Sequence, residues 1–475
     1  MMDEFSDFSQ FEEVNPLVSK FESMLLKGES PAFDIEEYEE IIEFYITNNH
    51  EHAERVVEYA LIQYPWSSII LLKKAVIMAH RDEFSEAFDI IKTVKGINDN
   101  EIELYITLSY IYRLQNKHEK SLKALQKALT FNEEVDEIYF DMAEDYAILG
   151  DVDKEIECLH KSLMHNYLHN EALDRLFWTY RSVDKFAEAI EYFSSFVEKY
   201  PLREMAWVKL GFSYYELDLY EKSVEAFEYA LSIEDSIPAY SGLAQSYWKT
   251  ENFDKAIQTF KDALNVFSYI PNVNNLIGWI YLELNDFTNA QKYFLNEIYY
   301  DSSTTNAWKG LAQVYIFKED FENAYDCLIR SFSAEELDLT SIEQISQLIF
   351  KLNKSHDTFE KILEKLTDIY SANPDIWLEY SSFLYYSDRE NQAVDVLVKA
   401  LDLVENPALI YFRLAAIQYL TDNEILGHMN LVAGLNVDSS LVDSVFEFSS
   451  SLYDYEPLVS ILNDYNNKYN NNENN

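Results

Sequence analysis

Glycine, proline and cysteine, residues on which many binding loops and small domains depend, are scarce in this sequence. Its 475 residues include nine glycines, nine prolines and two cysteines. So few glycines leave no glycine-rich loop of the kind that holds a phosphate. Cys158 and Cys327 are too few for a disulfide framework, and sparse cysteine is typical of a reducing compartment. The sequence therefore offers neither a phosphate-binding loop nor a disulfide-stapled domain.

Basic residues are also in the minority. The chain has 84 acidic and 37 basic residues, which gives a formal net charge of −47 at pH 7. A surface with this charge repels DNA, RNA and anionic lipid, so we expect no nucleic-acid partner. It favours a basic partner or one with apolar anchor residues. An equally good interpretation is that the acidic residues only solvate the outer face of the molecule.

Long hydrophobic segments are missing as well. No run of 18 apolar residues that could span a membrane occurs. From Met1 to Glu13 the chain is acidic and has neither the basic nor the apolar region of a signal peptide. The sequence therefore predicts no signal peptide and no membrane insertion, and the cytoplasm is the expected location.

What the sequence does contain is a repeat of 33 or 34 residues, seen most clearly between Glu204 and Asp235. The residues that define the pattern in that stretch are large apolar residues separated by small ones: Trp207, Leu210, Gly211, Tyr214, Ser223, Phe227 and Ala230. Tyrosine returns at the eleventh position of successive units, at Tyr112, Tyr146, Tyr180, Tyr214, Tyr247, Tyr281 and Tyr315. Internal periods of this length indicate a fold built from stacked repeats.

Within each unit the apolar residues return at steps of three and four, which predicts two amphipathic helices. Small residues at positions 8 and 20 of the unit let the two helices approach where they cross. Larger residues at position 24 then fill the space between neighbouring units: Leu125, Leu159, Phe193, Phe227, Phe260, Phe294 and Leu328. One hairpin alone cannot bury such a stripe, so we expect an all-α solenoid of stacked helix-turn-helix hairpins.

The prolines support this register independently. Six of the nine fall at unit boundaries, where a helix must stop or begin: Pro65, Pro201, Pro238, Pro271, Pro374 and Pro407. We place about twelve units, at 34–67, 68–101, 102–135, 136–169, 170–203, 204–236, 237–270, 271–304, 305–338, 339–373, 374–407 and 408–441. The unit at 339–373 is degenerate, because it has no aromatic residue at position 11 and no clear small residue at position 20.

Outside the repeats the sequence predicts less regular structure. We expect an acidic leader and an N-terminal helix over 1–33, and capping helices over 442–465. The residues 466–475 are nearly all asparagine, and such a polar terminal tail is expected to be disordered.

Residues 34–441 resemble the tetratricopeptide repeat (TPR) family. The resemblance depends on the pattern W-x2-L-G-x2-Y, followed by a small, an aromatic and a second small residue, which the stretch from Glu204 to Asp235 matches. It implies a right-handed superhelical α-solenoid of stacked TPR hairpins. It also implies a non-catalytic scaffold or adaptor that binds a partner protein or an extended peptide in the concave groove lined by the first helices.

The resemblance places positions 2, 5, 9, 12 and 13 of each unit in that groove. The residues there that we expect to bind a partner are aromatic, basic or amide side chains: Tyr110, Arg113, Trp178, Arg181, Phe212, Tyr215, Gln245, Trp248, Lys249, Asn275, Trp279, Lys309 and Gln313. Aromatic rings beside arginine and lysine are typical of binding hot spots. The alternative is that these rings pack against the neighbouring first helix.

One specialised type of groove is disfavoured. Some members of the family hold the C-terminal carboxylates of chaperones, which needs lysine at position 5 and asparagine at position 9 of the first unit. The unit at 68–101 has Leu72 and Val76 there, and the unit at 102–135 has Ile106 and Tyr110. The resemblance therefore does not imply an adaptor of that type.

Catalytic and metal-binding residues cannot be assigned. Cys158, His160, His165 and His169 form the one cluster that resembles a metal site, but they do not share one helix face. Carboxylate pairs are too abundant in so acidic a chain for any of them to indicate acid–base chemistry. We therefore expect no enzyme activity, no metal and no cofactor. The alternative to a groove that binds a partner is self-association into a homo-oligomer through the terminal repeats.

Overall fold

A computed structural model describes residues 16–48, 50–331, 340–342, 344, 345 and 357–462 of the protein. In these residues the regular secondary structure is helical, without a strand. They fall into two compact units, of which the first ends at Thr250 and the second begins at Glu251. The acidic leader up to residue 15, residues 339, 343 and 346–356 of the degenerate unit and the asparagine-rich tail lie outside the described residues.

Helices α1 to α14 belong to the first unit. In chain order they are Pro16–Leu26, Ile35–Asn48, His50–Gln63, Ser68–His80, Phe84–Ile97, Ile102–Leu114, His118–Ala128, Val135–Ile148, Val152–His165, Asn170–Ser182, Phe186–Lys199, Glu204–Glu216, Tyr220–Ile233 and Ile237–Lys249. A short 3-10 helix, Leu129–Phe131, follows α7.

Helices α15 to α25 belong to the second unit. They are Phe253–Phe267, Val273–Glu283, Phe287–Tyr300, Thr305–Phe317, Phe321–Ser331, Asp357–Ile369, Pro374–Tyr386, Glu390–Ala400, Ala408–Leu420, Glu424–Asp438 and Ser444–Phe448. Short 3-10 helices lie at Ser439–Leu441 and Ser450–Asp454.

Neighbouring helices pair as antiparallel hairpins, and the hairpins stack on one another inside each unit. The helices α8 and α9 form one such hairpin, and so do α12 and α13 in the first unit and α18 and α19 in the second. First helices of successive hairpins also contact each other, as α4 contacts α6 and α16 contacts α18. The predicted all-α fold of stacked helical hairpins is therefore confirmed.

The turn inside the hairpins has one recurring conformation. The residue at position 15 of the unit has a positive φ, as at Asp82, Asn116, Gly150, Asp184, Asp218, Asn285, Glu319, Asp388 and Asp422. The next backbone N–H donates to the carbonyl at position 11, for example from Leu219 to Tyr214 at 3.0 Å and from Asp286 to Tyr281 at 2.8 Å. This bond satisfies a carbonyl that the end of the first helix would otherwise leave without a donor.

Small residues bring the helices together at the predicted crossing. The Ser223 hydroxyl of α13 donates to the Gly211 carbonyl of α12 at 2.8 Å, so position 20 touches position 8 directly. The Phe227 ring lies against two glycines: a Cβ built on Gly211 would lie 2.8 Å from the ring, and one on Gly242 2.1 Å from it. Phe227 is fully buried, as are the other position-24 residues Leu125, Leu159, Phe193, Phe260, Phe294 and Leu328.

Candidate protein-interaction surfaces

The first helices α6, α10, α12 and α14 carry the predicted partner-binding residues of the first unit. We call the common face of these helices and of α8, which lies between α6 and α10 in the series, the first-helix surface. Trp178 on α10 is the most exposed of the rings predicted there, with 51% of its surface accessible. The Arg181 guanidinium carbon lies 5.2 Å from the centre of its ring. An indole that is half exposed beside an arginine can still gain a large contact area when a partner covers it.

The arginines predicted on this surface are engaged inside the chain. The Arg113 guanidinium donates to Asp141 Oδ1 and Glu144 Oε2 on α8, each at 2.7 Å. The Arg181 guanidinium lies 2.9 Å from Glu216 Oε1 on α12. Each arginine therefore joins its own first helix to the next one, and neither is free to be the main anchor for a carboxylate of a partner.

Lysines on the first helices make the same kind of bridge. Lys209 of α12 bonds Asp174 of α10, and Lys73 of α4 lies 2.6 Å from Glu43 of α2. Lys249, at the end of α14, is exposed. The first-helix surface thus has few uncommitted cations. Negative charge remains on it, because the single Arg113 cation is shared by Asp141 and Glu144 and because Glu171 is exposed.

Most other rings predicted on this surface pack within the protein. Phe212 meets the Phe227 ring edge-on, with the ring centres 5.0 Å apart. Tyr215 packs against Tyr220 at 5.3 Å, and the Tyr110 hydroxyl bonds His80 Nε2 at 3.1 Å. Gln245 donates to the Ser241 hydroxyl at 2.9 Å, and Trp248 is half-buried. Phe212 and Tyr215 thus contact the second helix of their own hairpin, Tyr110 contacts the neighbouring first helix, and Trp178 differs from all three in its exposure.

The four residues predicted on the second unit are less accessible. Asn275 is 2% exposed, and its side-chain amide donates to Asn272 Oδ1 at 2.8 Å. Trp279 is half-buried edge-on against Phe294, with the ring centres 5.6 Å apart. Gln313 donates to Gln344 Oε1 at 3.3 Å, and Lys309 is half-buried. Asn275 is therefore not available as a contact residue, because its side chain lies inside the unit.

The histidine and cysteine cluster is divided among separate contacts. His160 stacks on Tyr192 with the ring centres 4.1 Å apart, and its Nε2 bonds the Tyr180 hydroxyl at 3.0 Å. His169 accepts the backbone N–H of Ala172 at the start of α10. Burial raises the pKa of the Cys158 thiol to about 11, because the thiolate would lose its water. Among the described residues no group of three such side chains could hold a metal ion.

One contact that the sequence did not predict lies on the first helices of the second unit. The Phe448 ring, on the short helix α25, lies 5.1 Å from the Tyr385 ring and 6.0 Å from the Tyr386 ring, both on α21. The Arg413 guanidinium carbon of α23 is 4.2 Å from the centre of the same ring. The only hint in the sequence is α23 itself, in which Arg413 is the single charged residue of an otherwise mostly apolar helix.

Comparison with known families identifies the repeats. Two sequence models, each described as "Tetratricopeptide repeat", match the chain: one at 175–241, the other at 102–135, 237–267 and 271–302. The chain is a tetratricopeptide repeat protein. Its TPR repeats support a role as a protein-interaction scaffold. In this TPR protein, no described helix is both long enough and apolar enough to cross a membrane.

Several solved structures resemble parts of this TPR protein. The C-terminal part of a TPR repeat-containing protein from Cytophaga hutchinsonii is 17% identical, with a TM-score of 0.40, and the alignment covers 50% of this chain and 95% of that one. MamA from Desulfovibrio magneticus RS-1 is 19% identical, with a TM-score of 0.29, over 36% and 96%. The APC/C hetero-tetramer Cut9–Hcn1 is 13% identical, with a TM-score of 0.31, over 90% and 91%. No curated protein matches the chain.

Proposed function

We propose that this TPR protein is a non-catalytic adaptor that binds a partner protein or an extended peptide on its first-helix surface, with Trp178 as the principal anchor. The observation that supports this is the half-exposed Trp178 indole, on a surface where the other predicted rings are mostly packed. A tryptophan covered by a partner excludes water from a large apolar area and is a frequent hot spot.

The chemistry of the partner follows from the charges around this ring. The arginines of the surface are paired with Asp141, Glu144 and Glu216, so an acidic peptide would find few free cations. Glu171, on the same helix as Trp178, is 81% exposed and keeps its negative charge on this surface. The partner is therefore a basic or apolar segment, and the charge of −47 speeds its approach at low salt.

The test compares proteins captured from the lysate of the source cell by three full-length baits. These are the native chain, Trp178→Ala and the matched control Trp66→Ala, whose ring is 73% exposed in the turn between α3 and α4. Since a hot-spot tryptophan contributes about 2 kcal/mol or more, we expect the affinity of the retained partner to fall at least about thirtyfold with Trp178→Ala. Trp66→Ala should retain the partner as the native chain does.

Two further measurements complete this test. Circular dichroism should show the same helicity for all three baits, because neither ring is buried. The dissociation constant of the captured partner should rise with salt, as expected for a basic segment on an acidic surface. If Trp178→Ala and Trp66→Ala retain the partner equally, Trp178 is not part of the binding site and this proposal is wrong.

A second candidate function is self-association of the scaffold through its C-terminal repeats. The observation that favours it is the Phe448 contact, because a segment of the chain already occupies the first helices α21 and α23. A surface that binds a segment of its own chain is complementary to the same segment of another copy.

A further inference from the structure

The C-terminal segment 439–462 docks on the first helices of the second unit. Helix α25 and the 3-10 helix that follows it both contact α23. Val445, Phe448 and Leu452 of this segment are buried, and they are spaced three and four residues apart. Val445 and Phe448 lie on one side of the short helix α25, whereas Leu452 is on the 3-10 helix that follows the extended residue Ser449. Burial of one side of a short helix is the arrangement by which amphipathic helices bind grooves.

The anchor of this docked segment is the Phe448 ring. It spans two successive first helices, because Tyr385 and Tyr386 are on α21 and Arg413 is on α23. Tyr385 and Tyr386 stand at positions 12 and 13 of their unit, positions that the family resemblance places in the groove. The segment therefore occupies the part of the scaffold where a TPR partner is expected.

Arg413 is the charged residue in the contact between the docked segment and α23. Its guanidinium donates to two neutral groups, the Leu378 carbonyl at 3.2 Å and the Ser382 hydroxyl at 2.5 Å. Burial lowers the pKa of Arg413 to about 10, because the cation loses its water, while Glu379 and Glu447 offset part of this loss by attraction at longer range. Release of the segment would return this cation to water, whereas docking places it against the Phe448 ring, so the two states differ less in free energy than the buried apolar residues alone would suggest.

We propose that the face made by α21 and α23 is a binding site for a short helix anchored by an aromatic side chain. Within one chain the site is occupied by that chain's own segment through Phe448. When this segment is released, the same segment of a second copy of the chain binds there instead. The residues 439–443 form the hinge, since they connect α24 to the docked helix and are largely exposed. This inference rests on the second candidate function and does not involve Trp178.

The first experiment measures binding of a labelled peptide with the sequence of residues 439–457 to the full-length chain. The native chain and Phe448→Ala are titrated in parallel. If the native site is open about a tenth of the time, the peptide binds Phe448→Ala about tenfold more tightly, because that chain no longer fills its own site. Equal affinity for the two chains would overturn the proposal.

The peptide itself provides the matched control. Phe446 is on the same short helix, but its ring stacks on Tyr453 of the same segment, with the ring centres 4.3 Å apart, rather than on α21. A peptide carrying Phe446→Ala should keep most of the affinity, whereas one carrying Phe448→Ala should lose it. If the two substituted peptides bind alike, Phe448 is not the anchor.

A third measurement does not depend on the folding of any variant. A peptide with p-benzoyl-phenylalanine in place of Phe448 is irradiated with the native full-length chain, and the crosslinked residues are found by mass spectrometry. We expect adducts within α21 and α23. Adducts elsewhere, or none at saturating peptide, would contradict the assigned site.

The exchange between copies is tested with two complementary full-length chains. Phe448→Ala has a vacant site and no anchor, and a Tyr385→Ala, Tyr386→Ala double variant has an anchor and an impaired site. Light scattering should show a dimer in the mixture and monomers in each separate solution. A mixture that stays monomeric would overturn the role of the second copy. The amount of partner that Trp178→Ala captures from the lysate does not depend on this result, so the two proposals fail separately.

Discussion

His160 lies in an environment that disfavours its protonated form. Its imidazole stacks parallel on Tyr192 and is largely buried, and this burial lowers its pKa from 6.5 to about 4. In the unfolded chain the His160 imidazole takes up a proton at about pH 6.5, whereas in the folded chain it stays neutral down to about pH 4. The His160 contribution to stability is therefore complete above pH 6.5 and is lost as the pH falls from 6.5 towards 4.

This residue makes the first prediction. The free energy of unfolding of the native chain should fall by up to about 3 kcal/mol more than that of His160→Gln between pH 6.5 and 4, as measured by chemical denaturation. The ring protons of His160 in an NMR titration give the direct check, with a midpoint near pH 4 expected. A midpoint near 6.5 would show that the stacked, buried imidazole is not disfavoured as a cation.

For single residues, the sequence predicted where a side chain lies better than it predicted whether that side chain is accessible to a partner. The periodicity correctly indicated that Phe227 and Phe294 fill the space between helices. The family resemblance placed Asn275 and Arg113 on a partner-binding surface, but Asn275 is buried and Arg113 is paired with Asp141 and Glu144. A helical register fixes the direction of a side chain, and it does not show whether the neighbouring repeat supplies a partner for it.

Ion pairs between successive first helices matter at the scale of the element. Arg113 joins α6 to α8 and is 18% exposed, so its two hydrogen bonds lie in a partly desolvated site. If the positive charge of Arg113 were removed, the Asp141 and Glu144 carboxylates would face each other without a cation between them. These carboxylates would then repel each other, and the two helices would be less well held together.

Arg113→Gln should therefore lower the free energy of unfolding by about 1–3 kcal/mol. The control is Lys185→Gln, whose pair with Asp153 is largely exposed and screened by solvent, and a much smaller loss is expected there. Chemical denaturation checks both, and adding Asp141→Asn to Arg113→Gln should restore part of the loss. Equal effects of Arg113→Gln and Lys185→Gln would show that the bridge between first helices does not contribute specifically.

The helices themselves were predictable, and the docked C-terminal segment was not. The tyrosines at position 11 repeat at 33 or 34 residues, so the hairpins follow from the periodicity alone. The contact of Phe448 with Tyr385 and Tyr386 joins residues about sixty positions apart and belongs to no repeat. No local sequence pattern predicts this contact, because the contact depends on how far the chain folds back after α24.

The charge of the whole chain sets its response to salt. With a net charge of −47, repulsion between acidic side chains opposes the compact state. The Debye length falls from about 30 Å at 0.01 M salt to about 8 Å at 0.15 M, so repulsion over long distances is screened more than the short bridges between helices. The melting temperature, followed by circular dichroism, should therefore rise over this range. A fall would mean that the bridges contribute more than the repulsion.

The turn with positive φ also determines where the chain tolerates a change of length. Asp184 and Asp218 are 34 residues apart, but Asp218 and Glu251 are 33 apart, and all three have the same backbone conformation. The missing residue falls in the loop between α13 and α14, which has three residues where the loop between α11 and α12 has four. An epitope tag inserted at residues 234–236 would therefore leave the hairpins intact, whereas one inserted at 217–219 would interrupt the turn on which a hairpin depends.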